Sequence, residues 1–340
     1  MKAIRIHQHG GPEVLRLDTI PEKTCPPDKV RVYIKATALN HLDIWVRNGL
    51  PGMALPLPLI MGSDAAGVIT EIGSQVEHYK TGDEVVVQPN RFCGHCKMCL
   101  SGRQNYCDHF GILGETEDGV QASEVILDPI NIYLKPNHLS FEESASMPLV
   151  FLTAFQMIVK RAMLQSGETM LVYGAASGVG SAAIQIGKFL HATVIATVGD
   201  DRKSKHAEKM GADIVVNHYQ ENWHRSLKSQ HIDVIFEHIG PATWPYSMRL
   251  LAKGGRVVTC GATSGPTVEI DLRHLFSKQQ SILGSTMSDL ATFKEVLDLI
   301  HVGHFIPFVD KVFPFEQVMQ AHQRLESREQ YGKIVLTCDA

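Results

Sequence analysis

The sequence lacks three features, each of which would assign it to a broad class of protein. It has no apolar run long enough to cross a bilayer, because the longest, residues 145–159, is interrupted by Ser146, Pro148, Thr153 and Gln156. Its N-terminus lacks the continuous apolar core of a signal peptide. It also lacks an excess of positive charge, since 32 Lys and Arg residues stand against 36 Asp and Glu residues and the net charge is −4. We therefore expect a cytoplasmic protein that binds neither membranes nor nucleic acid.

The apolar residues, 44% of the 340 positions, predict two domains of different type. Up to about residue 130, short Val- and Ile-rich runs such as Val30–Ile34 and Glu84–Gln88 are separated by turns, which is typical of an all-β barrel. From about residue 148 to 288, apolar strands alternate with helices, which predicts a doubly wound parallel sheet covered on both faces. The strands expected there are Leu171–Tyr173, Val194–Val198, Asp213–Val216, Asp233–Phe236 and Arg256–Cys260. Beyond residue 288 we expect one helix, Phe293–His301, and a last strand, Lys333–Thr337.

Cysteine is scarce outside one short segment. Of the seven cysteines, four lie in the pattern Cys93-x2-Cys96-x2-Cys99-x7-Cys107. In a chain without an export signal, this crowding favours a metal site over disulfides. Four thiolates complete the tetrahedral coordination of zinc, so we expect one structural zinc with no open coordination position. The alternatives are four free thiols, an iron–sulfur cluster, and a nucleic-acid-binding zinc module, which the acidic net charge disfavours.

A glycine-rich segment follows the first strand of the second region directly and opens a helix. In the pattern G-x-G-x-x-G, Ala175 and Ser177 stand at the first two glycine positions and Gly180 at the third. Small residues there let a pyrophosphate approach the N–H groups of the helix N-terminus, although a tight strand-to-helix turn also uses them. The strand before it and the amphipathic helix after it favour dinucleotide binding. The candidate contacts are Gly174, Ala175, Ser177, Gly178, Val179 and Gly180.

These motifs, taken together, resemble the medium-chain dehydrogenase/reductase superfamily, near its quinone-reductase-like branch and its zinc-type alcohol dehydrogenases. The segments that carry the resemblance are Leu39–Asp43, Gly62–Gly67, Gly82–Val85, the four-cysteine lobe, Gly174–Gly180, Gly254–Val258 and Ile282–Thr286. The resemblance implies a GroES-like β domain, residues 1–147 with 289–340, that holds a small-molecule substrate and carries a zinc lobe at about 90–110. It further implies a Rossmann domain, residues 148–288, that holds NAD(P), and a homodimer that pairs through the strand at 281–285.

The resemblance also shows where this chain departs from zinc alcohol dehydrogenases. Those enzymes hold a catalytic zinc with a Cys, a Gly-His-Glu motif and a second Cys. The corresponding positions here are Asn40, Gly62-Ser63-Asp64 and Leu149, and the hydroxyl that relays the alcohol proton is replaced by Leu42. Oxygen donors of Asn and Asp suit zinc poorly, so we expect no catalytic zinc.

Without a metal, the substrate must already be electrophilic. We therefore expect reduction of a quinone or of a C=C conjugated to a carbonyl. The resemblance makes Asn40 the polar group facing substrate and nicotinamide, places His41 near the pyrophosphate, and adds Asp64, more as a hydrogen-bond acceptor than as an acid. Two purely structural interpretations remain open, in which Asn40 caps a loop and His41 is a surface histidine. The alternative functions are an alcohol dehydrogenase or aldehyde reductase, and a non-catalytic NADPH-binding protein.

The choice between NADPH and NADH depends on the end of the second strand of the parallel sheet. Val198 stands where the resemblance puts the ribose-binding carboxylate of NAD enzymes, Lys203 could meet a 2′-phosphate, and Tyr219 lies where NADPH reductases place an aromatic. Against this, Asp200 follows Gly180 by the 20 residues expected of a ribose carboxylate. We expect NADPH. The resemblance places further cofactor contacts at Thr153, Ile239, Gly240, Gly261, Ala262, Ser285 and Lys333.

Overall fold

The structure is a computed structural model that describes residues 1–50 and 52–338. The chain forms two compact units: Met1–Leu149 with Asp289–Val302 and Ile306–Ala340, and Val150–Ser288 with Gly303–Phe305. Pro51, Asp339 and Ala340, which the sequence assigned to the first domain, lie outside the described residues.

Two short segments join a different unit from the one that the sequence predicted: residues 148–149 lie in the first unit and residues 303–305 in the second. Residues 303–305 belong to the second unit, because the buried Phe305 ring lies 5.6 Å from the Phe151 ring and 5.5 Å from the Phe189 ring, measured between centroids. An aromatic cluster of this kind contributes through apolar burial and ring packing. The helix before it and the chain after it remain with the first unit.

The N-terminal part of the first unit is built from short strands, as the Val- and Ile-rich runs predicted. Its strands are β1 (Lys2–Ile6), β2 (Leu15–Thr19), β3 (Val30–Ala38), β4 (Leu59–Ile60), β5 (Asp64–Ile72), β6 (Glu84–Val87), β7 (Asn90–Arg91), β8 (Gly111–Ile112), β9 (Glu124–Leu127) and β10 (Ile132–Leu134). Its helices are α1 (His41–Asn48), α2 (Lys97–Leu100) and α3 (Phe141–Ala145). The helix α4 (Pro148–Phe155) follows, with a π-helical turn at Gln156–Arg161.

The second unit is a parallel sheet with helices between its strands. Its strands are β11 (Thr169–Val172), β12 (Thr193–Val198), β13 (Ile214–Asn217), β14 (Ile232–Glu237), β15 (Leu251–Thr259) and β16 (Ser281–Gly284). Its helices are α5 (Gly178–Phe189), α6 (Asp201–Lys209), α7 (Trp244–Leu250) and α8 (Leu272–Ser277). The strand order is β13-β12-β11-β14-β15-β16, which is the doubly wound order of a Rossmann fold with its switch point between β11 and β14.

The chain then returns to the first unit through α9 (Leu290–His301), β17 (Val309–Pro314), α10 (Val318–Glu326) and β18 (Lys333–Thr337). The main sheet of this unit has the order β10-β6-β5-β3-β18-β17, with β9 also paired to β3. Alternate residues of β3, among them Val30, Val32 and Ile34, are fully buried and pack in one apolar cluster of the unit. Among the described residues, no helix is both long and apolar enough to cross a membrane.

Candidate active site and metal centre

Strand pairing brings three distant segments of the first unit to one place. Ala38, the last residue of β3, pairs with Asp64 at the start of antiparallel β5 and with Val335 in antiparallel β18. The N–H of Leu39 continues this pairing by donating to the Ile334 carbonyl at 2.9 Å. The end of β3 therefore lies beside the beginnings of β5 and β18, which puts Asn40 next to the side chains of Asp64 and Lys333.

These three side chains form one hydrogen-bonded cluster. The Lys333 ammonium donates to Asn40 Oδ1 at 2.5 Å and to Asp64 Oδ2 at 2.9 Å. Asn40 Nδ2 donates to the same Asp64 oxygen at 2.9 Å, and the backbone N–H of Leu149 donates to Asp64 Oδ1 at 2.9 Å. Asn40, Asp64 and Lys333 are only 5%, 0% and 4% exposed, so the ion pair lies within the protein.

A second carboxylate, that of Asp43, lies beside this cluster. Its Oδ2 accepts the backbone N–H of Asn40 at 2.7 Å, which ties the start of α1 to the end of β3. Burial raises the pKa of Asp43 to about 7, the nearby Asp64 raises it too, and the hydrogen bond from Asn40 and the charge of Lys333 oppose the rise. Asp43 thus fixes the loop that presents Asn40, as a scaffold acceptor would.

The other residues predicted at this site occupy separate positions. His41 begins α1 and packs edge-on against Trp45, with ring centroids 5.2 Å apart. The buried hydroxyl of Ser63 donates to the Leu113 carbonyl at 2.8 Å. Leu149 contributes its backbone N–H and no side-chain donor. Of the positions that hold the catalytic zinc in zinc alcohol dehydrogenases, 40, 64 and 149 are therefore brought together, and they carry an amide, a carboxylate and an apolar side chain, with Lys333 bonded to the first two.

The structure shows that the Lys333 ammonium bonds to Asn40 and Asp64, and its predicted contact with the cofactor stays a prediction. Sequence reasoning missed this pairing because Lys333 is 293 positions from Asn40 and 269 from Asp64. A Lys at the first position of a buried strand, here Lys333 in β18, is the one signal that pointed to a buried ion pair, since lysine is rarely buried without a partner.

The four cysteines predicted to bind metal converge in a lobe between β7 and β8. Their sulfurs all lie within 4.8 Å of one another. The Cys93–Cys99, Cys96–Cys99 and Cys93–Cys107 sulfur pairs are 3.9, 3.5 and 3.6 Å apart. Four ligands at the usual zinc–sulfur distance would be about 3.8 Å apart in a tetrahedron. Backbone N–H groups of His95 and Cys96 lower the pKa of Cys93 to about 6, which favours its thiolate. The donor set fits a structural zinc.

The glycine-rich segment has the local geometry that its sequence predicted. Ser177 caps α5, with Oγ accepting the Gly180 N–H at 3.0 Å. Gly174 adopts a φ of +54°, and a Cβ on Gly180 would lie 2.4 Å from the Gly174 carbonyl oxygen. Only glycine fits at position 180, because the turn and the helix approach so closely. The loop thus presents the first turn of α5 at the carboxyl edge of the sheet, where a pyrophosphate binds in Rossmann folds.

A buried carboxylate, which sequence reasoning missed, shapes the neighbouring loop. Glu237 ends β14, and its Oε1 accepts the N–H groups of Ile239 and Gly240 at 2.6 and 3.1 Å. Its Oε2 accepts the hydroxyls of Thr243 and Ser247 at 2.8 and 3.2 Å. Ile239 and Gly240 were predicted cofactor contacts, and Glu237 fixes their backbone. A charged residue at the last position of a buried strand was the available signal.

The remaining predicted cofactor contacts lie at the ends of strands or beside them. Thr153 Oγ1 lies 3.8 Å from the sulfur of Met287, and the hydroxyl of Thr259 donates to the Gly261 carbonyl at 3.2 Å. The Ala262 carbonyl accepts the N–H of Gly265 at 3.0 Å, in the turn after β15. The hydroxyl oxygen of Ser285 is shielded from solvent and has no hydrogen-bond partner among the described residues. Such an orphaned hydroxyl fits a site that a ligand completes.

The residues predicted to decide between NADPH and NADH meet at the end of β12. Asp200 caps α6, and its Oδ1 accepts the N–H of Lys203 at 2.9 Å. The exposed Tyr219 ring lies against Gly199, where a Cβ would be 2.9 Å from the ring. Val198 is buried. One oxygen of the Asp200 carboxylate is thus engaged in capping α6, and the Tyr219 ring covers the backbone of the preceding Gly199.

Comparison with known protein families agrees with this division. The sequence model described as the alcohol dehydrogenase GroES-like domain matches residues 26–137. The model described as zinc-binding dehydrogenase matches residues 178–301. The first match covers most of the β-rich unit, and the second covers most of the parallel sheet.

Curated relatives span nearly the whole chain. The quinone oxidoreductase of Lama guanicoe is 30% identical over 99% of this chain and 97% of its own length. The crotonyl-CoA carboxylase/reductase of Cereibacter sphaeroides is 29% identical over 95% of this chain and 83% of its own length.

Solved structures share the complete fold. A crystal structure of an NAD-dependent alcohol dehydrogenase is 41% identical, with a TM-score of 0.96, and covers 99% of both chains. A 2-octenoyl-CoA carboxylase reductase in complex with NADP and 2-octenoyl-CoA is 25% identical, with a TM-score of 0.91, over 99% of this chain and 87% of the other.

The fold and these similarities define a two-domain, NAD(P)-dependent oxidoreductase with a GroES-like and a Rossmann-type domain. The chain belongs to the medium-chain dehydrogenase/reductase superfamily, in its zinc-type alcohol dehydrogenase-like and quinone oxidoreductase-like branch.

Proposed function

We propose that this protein uses NADPH to reduce a quinone or a C=C conjugated to a carbonyl, without a catalytic metal. The observation that carries the proposal is the Asn40–Asp64–Lys333 cluster, in which Asn40 and Asp64 stand at the first Cys and the Glu positions of zinc alcohol dehydrogenases and Lys333 donates to both. An amide, one carboxylate and an ammonium do not form a zinc site. An alcohol would then have to lose hydride without the metal that stabilises its alkoxide.

The residues of the chain supply orientation and hydrogen bonding for this chemistry. NADPH, when bound by the segment at 174–180 and the loop at 239–240, supplies the hydride. Asn40 has one amide hydrogen committed to Asp64, and its carbonyl oxygen is held by Lys333, so the direction of its second amide hydrogen is fixed. We infer that this hydrogen bonds to the substrate oxygen as negative charge develops on it.

The similarity to a quinone oxidoreductase and to two carboxylase/reductases of enoyl-CoA substrates supports an activated C=C or quinone as the acceptor. The capping role of Asp200 and the buried Val198 support NADPH over NADH, because Val198 carries no carboxylate and one oxygen of Asp200 is already used to cap α6. We also propose that the four-cysteine lobe holds one structural zinc, whose bonds would tie the lobe together.

The test is NADPH oxidation against a panel of quinones, enones and aldehydes, with wild type and Asn40→Ala. Loss of one such donor costs about 2.7–4 kcal/mol in the transition state, which is roughly a 10²–10³-fold fall in kcat. NADPH affinity should change little. Asn131 is a matched control, because its buried amide donates to the carbonyls of Gln88 and Asn90 within the scaffold. Asn131→Ala should lower stability and leave kcat per folded molecule near wild type. Equal kcat for Asn40→Ala and wild type would contradict the proposed donor.

A second candidate function is favoured by one comparison. The 41% identical structure is titled an NAD-dependent alcohol dehydrogenase, so alcohol oxidation or aldehyde reduction with NAD is the competing activity. The same panel separates the two, when simple alcohols with NAD⁺ are added to it. Ready oxidation of alcohols, together with no turnover of enones or quinones, would replace the first proposal by the second. Tight NADPH binding with no turnover at all would indicate a non-catalytic protein.

We also propose a homodimer through the second unit. Strand β16 is an edge of the parallel sheet, and two large apolar side chains of the adjacent α8, Leu272 and Phe276, are 65% and 70% exposed. An open edge with apolar neighbours is usually covered. Sedimentation at micromolar concentration should give the dimer mass, and Phe276→Glu should shift it towards the monomer. A monomeric wild type would contradict this.

A further inference from the structure

In the Asn40–Asp64–Lys333 cluster, a lysine ammonium bonds to the oxygen atoms that a metal ion would need as ligands. The two side-chain oxygens that could bind a cation here are Asn40 Oδ1 and Asp64 Oδ2, and Lys333 Nζ lies 2.5 and 2.9 Å from them. The other Asp64 oxygen accepts the Leu149 N–H. Each oxygen of the cluster is therefore already engaged.

We propose that the Lys333 ammonium is a resident cation that replaces the catalytic metal of zinc alcohol dehydrogenases. It neutralises Asp64, fixes the orientation of the Asn40 amide, and excludes a divalent ion from the cluster. Lys333 is in this sense a positioning residue, since it acts on the substrate through Asn40. The part of the inference that concerns charge and metal content stands or falls independently of the reaction proposed above, and only the effect on substrate through Asn40 rests on that proposed function.

Burial supports this role. A carboxylate that is 0% exposed needs a partner charge, and the ammonium that supplies it is itself only 4% exposed. The ion pair is fixed by backbone pairing rather than by flexible side chains meeting at a surface, because β18 begins beside the end of β3. A divalent ion bound to the same two oxygens would lie close to the positive charge of Lys333, and their repulsion would be strong in this buried site.

The donor set leads to the same conclusion. Among the described residues, the four cysteines are the one group of three or more His, Cys, Asp and Glu ligand atoms close enough to share an ion. The Asn40–Asp64–Lys333 cluster lacks the imidazole and thiolates that hold zinc. Restoring those ligands while keeping Lys333 therefore separates two causes of metal exclusion: missing ligands and a resident cation.

The first experiment restores the ligands in the full-length protein. The triple variant Asn40→Cys, Ser63→His, Leu149→Cys carries the ligand types of a zinc alcohol dehydrogenase, and it is compared with the same variant that also carries Lys333→Met. Zinc per chain is measured by elemental analysis after dialysis. We expect one zinc in the triple variant and two when Lys333 is also replaced. Two zincs in the triple variant, or one in both proteins, would overturn the proposal.

A second buried lysine provides the matched control. Lys135 is 5% exposed, its ammonium donates to the carbonyls of Pro136 and Leu139 at 3.2 and 2.6 Å, and its ion-pair partner is Glu84 at 3.1 Å rather than a member of the cluster. Lys135→Met in the triple variant should leave the zinc content at one. A rise to two would mean that loss of any buried lysine admits the metal, which would contradict a specific role for Lys333.

A stability measurement keeps the proposal testable where the multiple variants do not fold. Lys333→Met leaves the buried Asp64 carboxylate without its counter-ion, so its melting temperature should fall by several degrees or it should fail to fold. Adding Asp64→Asn removes that unpaired charge and should restore part of the loss. If Asp64→Asn lowers the melting temperature further in the Lys333→Met protein, Lys333 does not neutralise Asp64 and the proposal is wrong.

Discussion

Two polar sites of the first unit form in opposite ways. The four-cysteine lobe gathers its ligands from residues 93–107, and their sulfurs lie within 4.8 Å of one another. The Asn40–Asp64–Lys333 cluster gathers its members from the loop after β3 and from the first residues of β5 and β18, which are far apart along the chain. The lobe has the geometry for a metal from outside, whereas the cluster contains its own cation.

Because of this difference, the two sites should respond differently to removal of a metal ion. The lobe would be held by bonds to an ion that can be removed, and its segments are otherwise short: a one-turn helix and two two-residue strands. The cluster lies where β5, β3 and β18 are neighbours in the main sheet, and the backbone hydrogen bonds between these strands do not depend on a ligand. Metal removal should therefore affect the lobe and leave the cluster in place.

The largest expected effect is on the zinc content of the lobe. Cys99→Ser removes one of four thiolates, so we expect the protein to lose the single zinc proposed for the lobe and to unfold at a lower temperature. Turnover per folded molecule should fall much less, because the proposed reaction uses Asn40 and not the lobe. Elemental analysis, thermal unfolding and kcat on an enone measure the three quantities. A kcat that falls with the zinc content while the fold is retained would show that the two sites are coupled.

Breaking the ion pair of the cluster should give the next largest effect. Asp64→Ala leaves the Lys333 ammonium buried without a counter-ion, and such losses cost about 3–5 kcal/mol. The free energy of unfolding from denaturant titration measures this, and the zinc content should stay at one.

Asp310→Ala is the comparison for that variant. The Asp310 side chain is 2% exposed, but its partner Arg324 is 24% exposed and bonds to it at 2.7 Å. Because Arg324 reaches solvent and also pairs with Glu329, its charge is not left buried without a partner when Asp310 is removed. A loss for Asp310→Ala as large as that for Asp64→Ala would show that burial of the cation does not set the cost.

The sequence predicted these two sites unequally, and the reason is contact distance along the chain. The lobe and the turn at 174–180 are local, so the spacing of Cys93–Cys107 and of Ala175, Ser177 and Gly180 carries the geometry. The parallel sheet was also predicted, with strand ends within a few residues, because each buried strand is a continuous apolar run. In these places residue type and spacing are sufficient.

Long-range pairings were not predictable in the same way. Nothing in the residues near Lys333 indicates which carboxylate it meets, because the register of β18 against β3 depends on the whole sheet. Glu237 differs from Lys333, because its four acceptor bonds go to residues only 2 to 10 positions further along the chain, and it was missed although its contacts are local. The assignment of Lys333 to the cofactor came from family resemblance, which did not indicate its bonds to Asn40 and Asp64.

A third buried polar cluster, formed by Arg47, His322 and Glu326, should make the stability of the protein depend on pH. Arg47 is 1% exposed and donates to Nδ1 of the fully buried His322 at 3.2 Å, and it also pairs with Glu326. Burial, together with the charge of Arg47, lowers the pKa of His322 to about 3. This histidine therefore stays neutral in the folded state over a range in which the unfolded chain binds a proton. Because its folded pKa is lowered, its contribution to stability is present above pH about 6.5 and is lost as the pH falls towards 3.

His322→Gln tests that contribution. At pH 5 the wild type should have lost about 2 kcal/mol of stability through this residue, relative to neutral pH. Gln keeps an acceptor for Arg47 and cannot titrate, so its unfolding free energy should fall less between pH 7.5 and pH 5. Other titrating groups, Asp43 among them, are common to both proteins and cancel in the difference. Parallel pH curves for the two proteins would show that His322 is not held neutral.

The smallest expected effect concerns the cofactor site of the second unit, which like the lobe is local in sequence. Asp200 uses Oδ1 to cap α6, and replacing such a cap by Ala costs about 1 kcal/mol. If capping is its role, Asp200→Ala should lower the stability by that amount and leave NADH affinity nearly unchanged. Lys203→Ala should weaken NADPH binding and not NADH binding, since the proposed contact is to the 2′-phosphate. Fluorescence titration with both cofactors measures these affinities. A selective loss of NADH affinity in Asp200→Ala would mean that the carboxylate binds the ribose hydroxyls, and the assignment of NADPH would then be reversed.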